Sequence, residues 1–411
     1  MTVGLIEMEQ ARRAVLENIV ALEGEPVELD QALGRTLAAD VRSLHPVPAF
    51  TGSAMDGYAI RAEDVRGALH ETPVTLKLVG ESRAGHPTTT AVGPGETIAI
   101  STGAMLPPGA DAVVRVEDTA AADGRVAVRV EAQAGQDVRY AGEDIPPGRT
   151  VLAHGARVGP TELGVLASLG CPTPTCTRRP RVSVLTTGDE LLPAGEKLTP
   201  GAVRNSNAYT IPALAQRLGA QVTQRLHAPD NPHATETAIA RALEADVAVI
   251  CGGVSVGAHD HVKGALATLG VDERFSGVAL RPGKPTWFGT RHRTLVFGLP
   301  GNPVSAMVTF ILFVAPALRA LSGAAATSER GTATLVCDYE KRPGRAHAVR
   351  CALTLCEDGW QATPTGPQGS HILTSMLGAD ALAIIPSASG SLHAGDRVQV
   401  ELLTPWVGCG L

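Results

Sequence analysis

The sequence predicts a multidomain chain of the α/β plus β class. Three observations carry that prediction. The length of 411 residues is more than one hydrophobic core serves. Strand-like and helix-like patterns alternate between 180 and 322. On either side, about 44 to 142 and 329 to 411, short β-like runs stand between Gly and Pro clusters.

Taken in order, apolar spacing at Ile6, Ala11, Val15, Leu16 and Ile19 predicts an amphipathic helix across 5–22. The segment from Asp30 to Ala38 predicts a second short helix, with Pro46 and Pro48 beyond it as breakers. Runs at Val74–Val79, Thr97–Ile100, Ala112–Val116 and Arg125–Val130 predict a β-rich unit. Residues 161 to 170 look helical again, so the chain leaves its first helical region, builds the β unit and returns. In the central stretch, strands are expected at Arg181–Leu185, 221–227, Val247–Ile250 and Leu295–Phe297. Helices are expected at 206–218, 234–244, about 259–269 and from about 303. That alternation predicts a parallel sheet with helices on both faces. Runs at Thr332–Val336, Val349–Leu355, Ala381–Ile385 and Arg397–Leu402 predict a small all-β unit at the end.

Composition narrows the function. Hydrophobic residues make up 44% and aromatics only 3%, so aliphatic side chains must fill the cores. A net charge of −6 disfavours a general nucleic-acid binder but leaves room for local anion pockets. The seven cysteines, at 171, 176, 251, 337, 351, 356 and 409, form no C-x-x-C pair and are odd in number. A disulfide framework or zinc site is not expected, and a reducing, cytoplasmic compartment is. The first residues carry early acidic groups and no apolar h-region, so no signal peptide is expected. The longest apolar stretch, Val304 to Leu318, is short for a bilayer span and contains Pro316; it is read as a buried helix, with no membrane partner.

In an open parallel sheet, ligands bind beyond the carboxyl ends of the strands. Three Gly-rich loops are expected there: Thr186-Thr-Gly-Asp-Glu190, Gly252-Gly-Val-Ser-Val-Gly-Ala-His-Asp260 and Gly298-Leu-Pro-Gly-Asn-Pro-Val-Ser305. Glycine lets backbone N–H groups approach a phosphate, and a following helix N-terminus adds partial positive charge. Three such loops in one domain say more than any one, each of which could be a plain tight turn. Two of them carry the carboxylates Asp189, Glu190 and Asp260. Beside a phosphate these would repel it unless a divalent cation such as Mg²⁺ lay between; the other reading is that Asp189 caps the next helix. Arg281-Pro-Gly-Lys284-Pro places two cations on a stiff turn and reads either as an oxyanion site or as a solvated loop. Asp56-Gly57 alone reads as a hairpin tip, and Glu143-Asp144 as a surface turn. The histidines show no ligand spacing and are assigned to no metal.

Together these stretches resemble the MoeA/gephyrin-type molybdopterin molybdenumtransferases. The matching segments are Ser53-Ala-Met-Asp-Gly-Tyr-Ala59, Ser101-Thr-Gly-Ala104 with Pro108-Gly-Ala-Asp-Ala-Val113, and Gly142-Glu-Asp144. They continue through Thr187-Gly-Asp-Glu-Leu191, Gly252-Gly-Val-Ser-Val-Gly257 with Asp260, Arg281-Pro-Gly-Lys-Pro285, Gly298 to Ser305 and Gln368-Gly-Ser370. They run in family order along nearly the whole chain.

The resemblance implies four domains: a split helical domain (1–43 and 143–172), a β-rich domain (44–142), a MogA-like doubly wound α/β domain (173–325) and a C-terminal small β-barrel (326–411). It implies a homodimer with a cleft where the α/β domain of one chain faces the β domain of the other. The reaction implied inserts molybdate into adenylylated molybdopterin and releases AMP. Asp56, Thr102, Asp189, Glu190 and Asp260 would be catalytic, with Asp189, Glu190 and Asp260 serving Mg²⁺. Gly188, Asp230, Gly252, Gly253, Ser255, Gly257, Pro300 and Gly301 would hold pterin and nucleotide. Arg281, Lys284, Ser305, Arg350 and Ser370 would hold molybdate, a tetrahedral dianion that needs cations and hydroxyl donors. Arg281 stands where many relatives have Lys, and the Arg345–Arg350 stretch lacks an aromatic common there, which leaves Arg345 as the alternative to Arg350. Contact with a molybdopterin adenylyltransferase or other pathway proteins is a further implied partnership. The form expected is the stand-alone bacterial one. Rival readings are that adenylyltransferase itself, a gephyrin-like scaffold, and a nucleotide hydrolase built on the same α/β domain.

Overall fold

The computed structural model describes residues 4–17, 19–254, 261–326 and 329–403. The first helix, α1 (Met8–Leu16), is shorter than its apolar spacing suggested. It buries Met8, Ala11 and Val15 in the same core as the central sheet rather than in a helical unit of its own. The second expected helix shrinks to a 3₁₀ turn at Leu29–Gln31, because Gly34 takes φ +76° and turns the chain out of the helical path.

The β-rich unit contains β1 (Gly57–Ile60), β2 (Val74–Ser82), β3 (Glu96–Ile100), β4 (Ala112–Arg115), β5 (Thr119–Ala122) and β6 (Arg125–Val128). They form one sheet in the order β4-β1-β3-β2-β6-β5. The Asp56-Gly57 pair, which alone reads as a hairpin tip, is divided: Asp56 lies in a bend and Gly57 opens β1. Its entry is tight: a Cβ added at Gly57 would collide with the Val114 carbonyl oxygen. From there the chain returns through Val47↔Ile145 and Thr36↔Arg157 bridges to helix α2 (Pro160–Ser168). Val27, Ala32 and Leu37 share a core with Val158, Leu166 and Cys176.

The central sheet contains β7 (Arg181–Thr187), β8 (Gln221–Ala228), β9 (Val247–Cys251), β10 (Asp272–Ser276), β12 (Trp287–Arg291) and β13 (Thr294–Leu299). The short β11 (Leu280–Arg281) lies in the turn between β10 and β12 and pairs elsewhere. The sheet order is β8-β7-β9-β13-β12-β10. The first four strands are parallel, as expected, and β9 is buried along its whole length. β12 and β10 are antiparallel additions. They escaped sequence reading because β12 is followed directly by a tight hairpin at His292, which has φ +52°, rather than by a helix. Helices α3 (Asn207–Arg217), α4 (Pro232–Ala242) and α5 (Val262–Thr268) cover the sheet.

The long apolar helix is continuous from α6 (Pro303–Thr309) through a π turn (Phe310–Val314) to α7 (Ala315–Leu321). It is the one described helix long and apolar enough to cross a bilayer, and 78% of its most apolar window is buried inside the protein. Pro316 has no N–H, so the Leu312 carbonyl lacks its ordinary helical donor. Arg12 of α1 supplies one instead, Nε to Leu312 O at 3.2 Å. The same guanidinium donates to Glu401 at 2.7 Å.

Glu401 lies on the last of five strands that close on themselves: β14 (Arg330–Leu335), β15 (Ala346–Cys356), β16 (Gly359–Pro364), β17 (Ala381–Ile385) and β18 (Arg397–Leu402). The circuit runs β15-β16-β14-β18-β17 and back to β15. Val349, Cys351, Ala383 and Val400 fill its interior. Ala346 and Ala348, on the opposite face of β15, pack with the α/β core. The six described cysteines are free thiols.

Candidate active site

β7, β9 and β13 are adjacent and in register, with Thr186 opposite Cys251 and Cys251 opposite Leu299. Their three Gly-rich loops therefore leave the sheet at one level, at the carboxyl end where parallel sheets bind ligands. The loops touch. Gly252 N donates to Leu299 O at 3.0 Å, and a Cβ on Gly301 would lie 3.8 Å from the Gly252 Cα. Gly252 takes φ +97°, and a Cβ there would come within 2.8 Å of Thr187 Oγ1; only glycine lets these backbones meet. Pro300 lies in the third loop, just ahead of Gly301.

Carboxylates gather at the rim. Asp230 N donates to Asp189 Oδ1 at 3.0 Å, and Asp189 N reaches Asp230 Oδ2 at 3.5 Å. The Glu190 carboxylate folds back over Gly188, where a Cβ would strike it. Asp189 caps no helix, because the chain continues into a short strand at Leu191–Leu192. Among the described residues no three His, Cys, Asp or Glu side chains make a metal-holding group. Mg²⁺ needs few protein carboxylates when water and phosphate complete its shell, and Asp189 and Asp230 are two that this rim brings together. Ser255, Gly257 and Asp260 lie outside the described residues.

Sequence reasoning passed over Asn205 and Asn207. Asn205 Nδ2 donates to Thr186 Oγ1 at 2.9 Å, and Asn207 Nδ2 to Gly301 O at 2.8 Å. They tie the start of α3 to the first and third loops. The signal was the Asn-Ser-Asn run just before a helix, a capping pattern.

The cationic turn is held from several sides. Val278 N donates to Lys284 O at 2.9 Å, and Thr286 closes on Gly283 O through both N (3.1 Å) and Oγ1 (2.6 Å). Ile6 brackets the turn, donating to Gly277 O and accepting from Ala279 N. β11 pairs in parallel with the start of β15, Leu280 opposite Ala346 and Arg281 opposite His347. Arg281 and Lys284 are exposed, and their side chains have no partner among the described residues.

Arg350, by contrast, is 1% exposed. Its Nε donates to Ser375 Oγ and its Nη2 to Gly369 O, both at 3.2 Å. Burial, the largest influence, lowers its pKa, and Arg281 adds to the effect. Arg350 thus holds the loop that carries Ser370. Ser370 O accepts from Val304 N at 3.2 Å and Ser370 Oγ from Asn302 Nδ2 at 3.1 Å, at the start of the helix that buries Ser305. Arg345 is half-buried at the entry to β15.

In the β-rich unit, Asp56 Oδ1 accepts from Thr102 N at 2.7 Å, so these two expected residues meet. Asp56 is exposed. Among the described residues no hydrogen bond or ion pair joins either of them to the α/β loops.

Comparison with known proteins assigns the whole architecture. Residues 6–170 match the MoeA N-terminal region (domain I and II), 183–320 a probable molybdopterin binding domain, and 332–403 the MoeA C-terminal region (domain IV). The chain is 35% identical over 403 residues to the molybdopterin molybdenumtransferase of Haemophilus influenzae, covering 97% of this chain and 98% of that one. It is 35% identical over 404 residues to the enzyme of the same name from Bacillus subtilis, covering 97% and 94%. The crystal structure of a molybdopterin biosynthesis MoeA protein from Pyrococcus horikosii superposes with a TM-score of 0.85 at 33% identity, over 98% of this chain and 100% of that one. With that identity along the full chain and all three family regions in order, the protein belongs to the MoeA family of molybdopterin molybdenumtransferases, enzymes of molybdenum cofactor biosynthesis.

Proposed function

We propose that the chain inserts molybdate into adenylylated molybdopterin and releases AMP. The observation that carries this reading is that one chain of this family holds two anion-binding elements. Touching Gly-rich loops offer backbone N–H groups to phosphate, and a clamped turn presents to an oxyanion two cations whose side chains have no partner among the described residues. Gly188, Gly252, Gly253, Pro300 and Gly301 bind the pterin phosphate and nucleotide, and Asp230 orients them. Arg281 and Lys284 hold molybdate, with Ser305 and Ser370 as hydroxyl donors. Arg350 shapes the Ser370 loop by its buried hydrogen bonds. Two Mo–S bonds replace Mo–O bonds of molybdate, the displaced oxygen leaves as water with the thiol protons, and water cleaves the phosphoanhydride so that AMP leaves.

Mg²⁺ belongs to the same proposal, held by Asp189, Glu190 and Asp230 with Asp260; when bound it would screen charge on the phosphoanhydride. So does a homodimer, in which Asp56 and Thr102 of one chain complete the cleft of the other. The free thiols fit a reducing cytoplasm, where a molybdopterin adenylyltransferase would supply the substrate.

The test is AMP release from adenylylated molybdopterin with and without molybdate. Release that requires molybdate is the expected result. Equal release without it would make the protein a hydrolase, and no turnover with tight peptide binding would make it a scaffold.

A further inference from the structure

The mouth of the barrel next to Arg281 holds a group of side chains with no assigned role. His347 is 5% exposed and stands on the face of β15 that looks into the barrel, with Val349 and Cys351. Its Nδ1 lies 3.1 Å from the Tyr339 hydroxyl, and the two rings meet edge to face with centroids 5.8 Å apart. Lys341, 6% exposed, closes the same end, its Nζ donating to the carbonyls of Ser387 (3.2 Å) and Ser389 (2.6 Å). Arg281 faces His347 across the β11–β15 pairing.

The Tyr339 O–H has no other acceptor among the described residues, and donation to Nδ1 is the arrangement that satisfies both groups. Burial raises the Tyr339 pKa, which keeps that proton in place. Nδ1 is then the acceptor, and the proton of a neutral imidazole sits on Nε2. Burial, then Arg281, Lys341 and Arg345, lowers the His347 pKa to about 4, so the ring is neutral near pH 7. Nε2–H has no acceptor among the described residues. The charges acting on His347 are all positive. A donor set among cations is satisfied by an anion.

We propose that His347, oriented by Tyr339, donates a hydrogen bond from Nε2 to the small tetrahedral oxyanion held by Arg281, and so sets the affinity for that substrate. The inference rests on the proposed molybdate chemistry of Arg281. A neutral donor adds geometry to a site whose charge Arg281 and Lys284 already supply. Tyr339 is a positioning residue; it fixes which ring nitrogen carries the proton.

The test uses the full-length protein, with molybdate and adenylylated molybdopterin varied separately, and with direct molybdate binding by calorimetry as a readout independent of turnover. His347→Leu should raise the KM and Kd for molybdate about tenfold, the cost of one buried hydrogen bond to a charged group. The KM for adenylylated molybdopterin should change less than about twofold on the same argument. His347→Gln, which keeps an N–H donor, should restore most of the molybdate affinity. Tyr339→Phe should fall between. Unchanged molybdate constants in a folded His347→Leu, or equal rises for both substrates, would overturn the proposal. If His347→Leu fails to fold, wild-type molybdate affinity in Tyr339→Phe would overturn it just as well. Loss of molybdate dependence in the wild type would instead defeat the functional reading itself.

Discussion

At the scale of single residues, the side chains that matter here are those with no partner among the described residues. Lys284 is one. Lys284→Ala should weaken molybdate dependence more than nucleotide binding, measured as separate KM values. An equal loss would mean that Lys284 touches the nucleotide. His347 offers a pH handle. Its folded pKa of about 4 lies below the ordinary 6.5, so between these values the unfolded chain binds more protons than the folded one. Its contribution to stability is therefore complete above pH 6.5 and is lost as pH falls toward 4. Melting temperatures across that window should fall more steeply for the wild type than for His347→Gln. Cys251 gives a control: burial pushes its thiol up to about 12, so it should resist alkylation at pH 8 until the protein unfolds. The glycines, acids and cations of the candidate site could be proposed from the sequence because their chemistry is local. His347 could not: its neutrality depends on burial and on Arg281, Lys341 and Arg345 arriving from separate segments. Asn207 was missed for the same reason, since its partner Gly301 comes from a distant loop.

At the scale of elements, the alternating pattern between 180 and 322 specified the four parallel strands and their helices, because each βα unit repeats a local rule. The antiparallel strands β10 and β12 obey no such repeat, and β1 hides behind an Asp-Gly pair that is common in turns. Asp56 itself lies in the bend at 54–56, and only Gly57 enters the strand, close against Val114. Gly57→Ala should cost about 1–3 kcal/mol, since the new methyl meets the Val114 carbonyl in the neighbouring strand. Chemical denaturation would measure it. Arg12 is the other element-level tie. It serves a helix carbonyl orphaned by Pro316 and a barrel carboxylate at once. Arg12→Ala removes that guanidinium from both, but Glu401 keeps Arg330 at 3.4 Å, so the loss should be on the order of 2–3 kcal/mol, below that of a fully broken buried pair. A drop below about 1 kcal/mol would show that water replaces the guanidinium freely.

At the scale of the whole molecule, the question is whether the cleft is built from one chain or two. Within one chain, Asp56 and Thr102 bond to each other, and among the described residues neither bonds to the α/β loops. Mixing answers it without a structure. If Asp56 serves the partner's cleft, co-expressed Asp56→Ala and Lys284→Ala chains form heterodimers with one intact site. Each homodimer has none, so activity should recover to about a quarter of wild type under random pairing. If both residues serve the same chain, every site in the mixture is damaged and activity stays at the level of the single variants.

The bracket that Ile6 places around the Arg281–Lys284 turn has a practical corollary. Two main-chain hydrogen bonds connect the opening segment of the polypeptide to the stretch that presents both cations. Deleting residues through Ile6, or fusing a bulky tag directly ahead of Leu5, should loosen oxyanion capture while leaving every charged side chain in place. Expression designs that put the affinity handle at the other terminus avoid that perturbation.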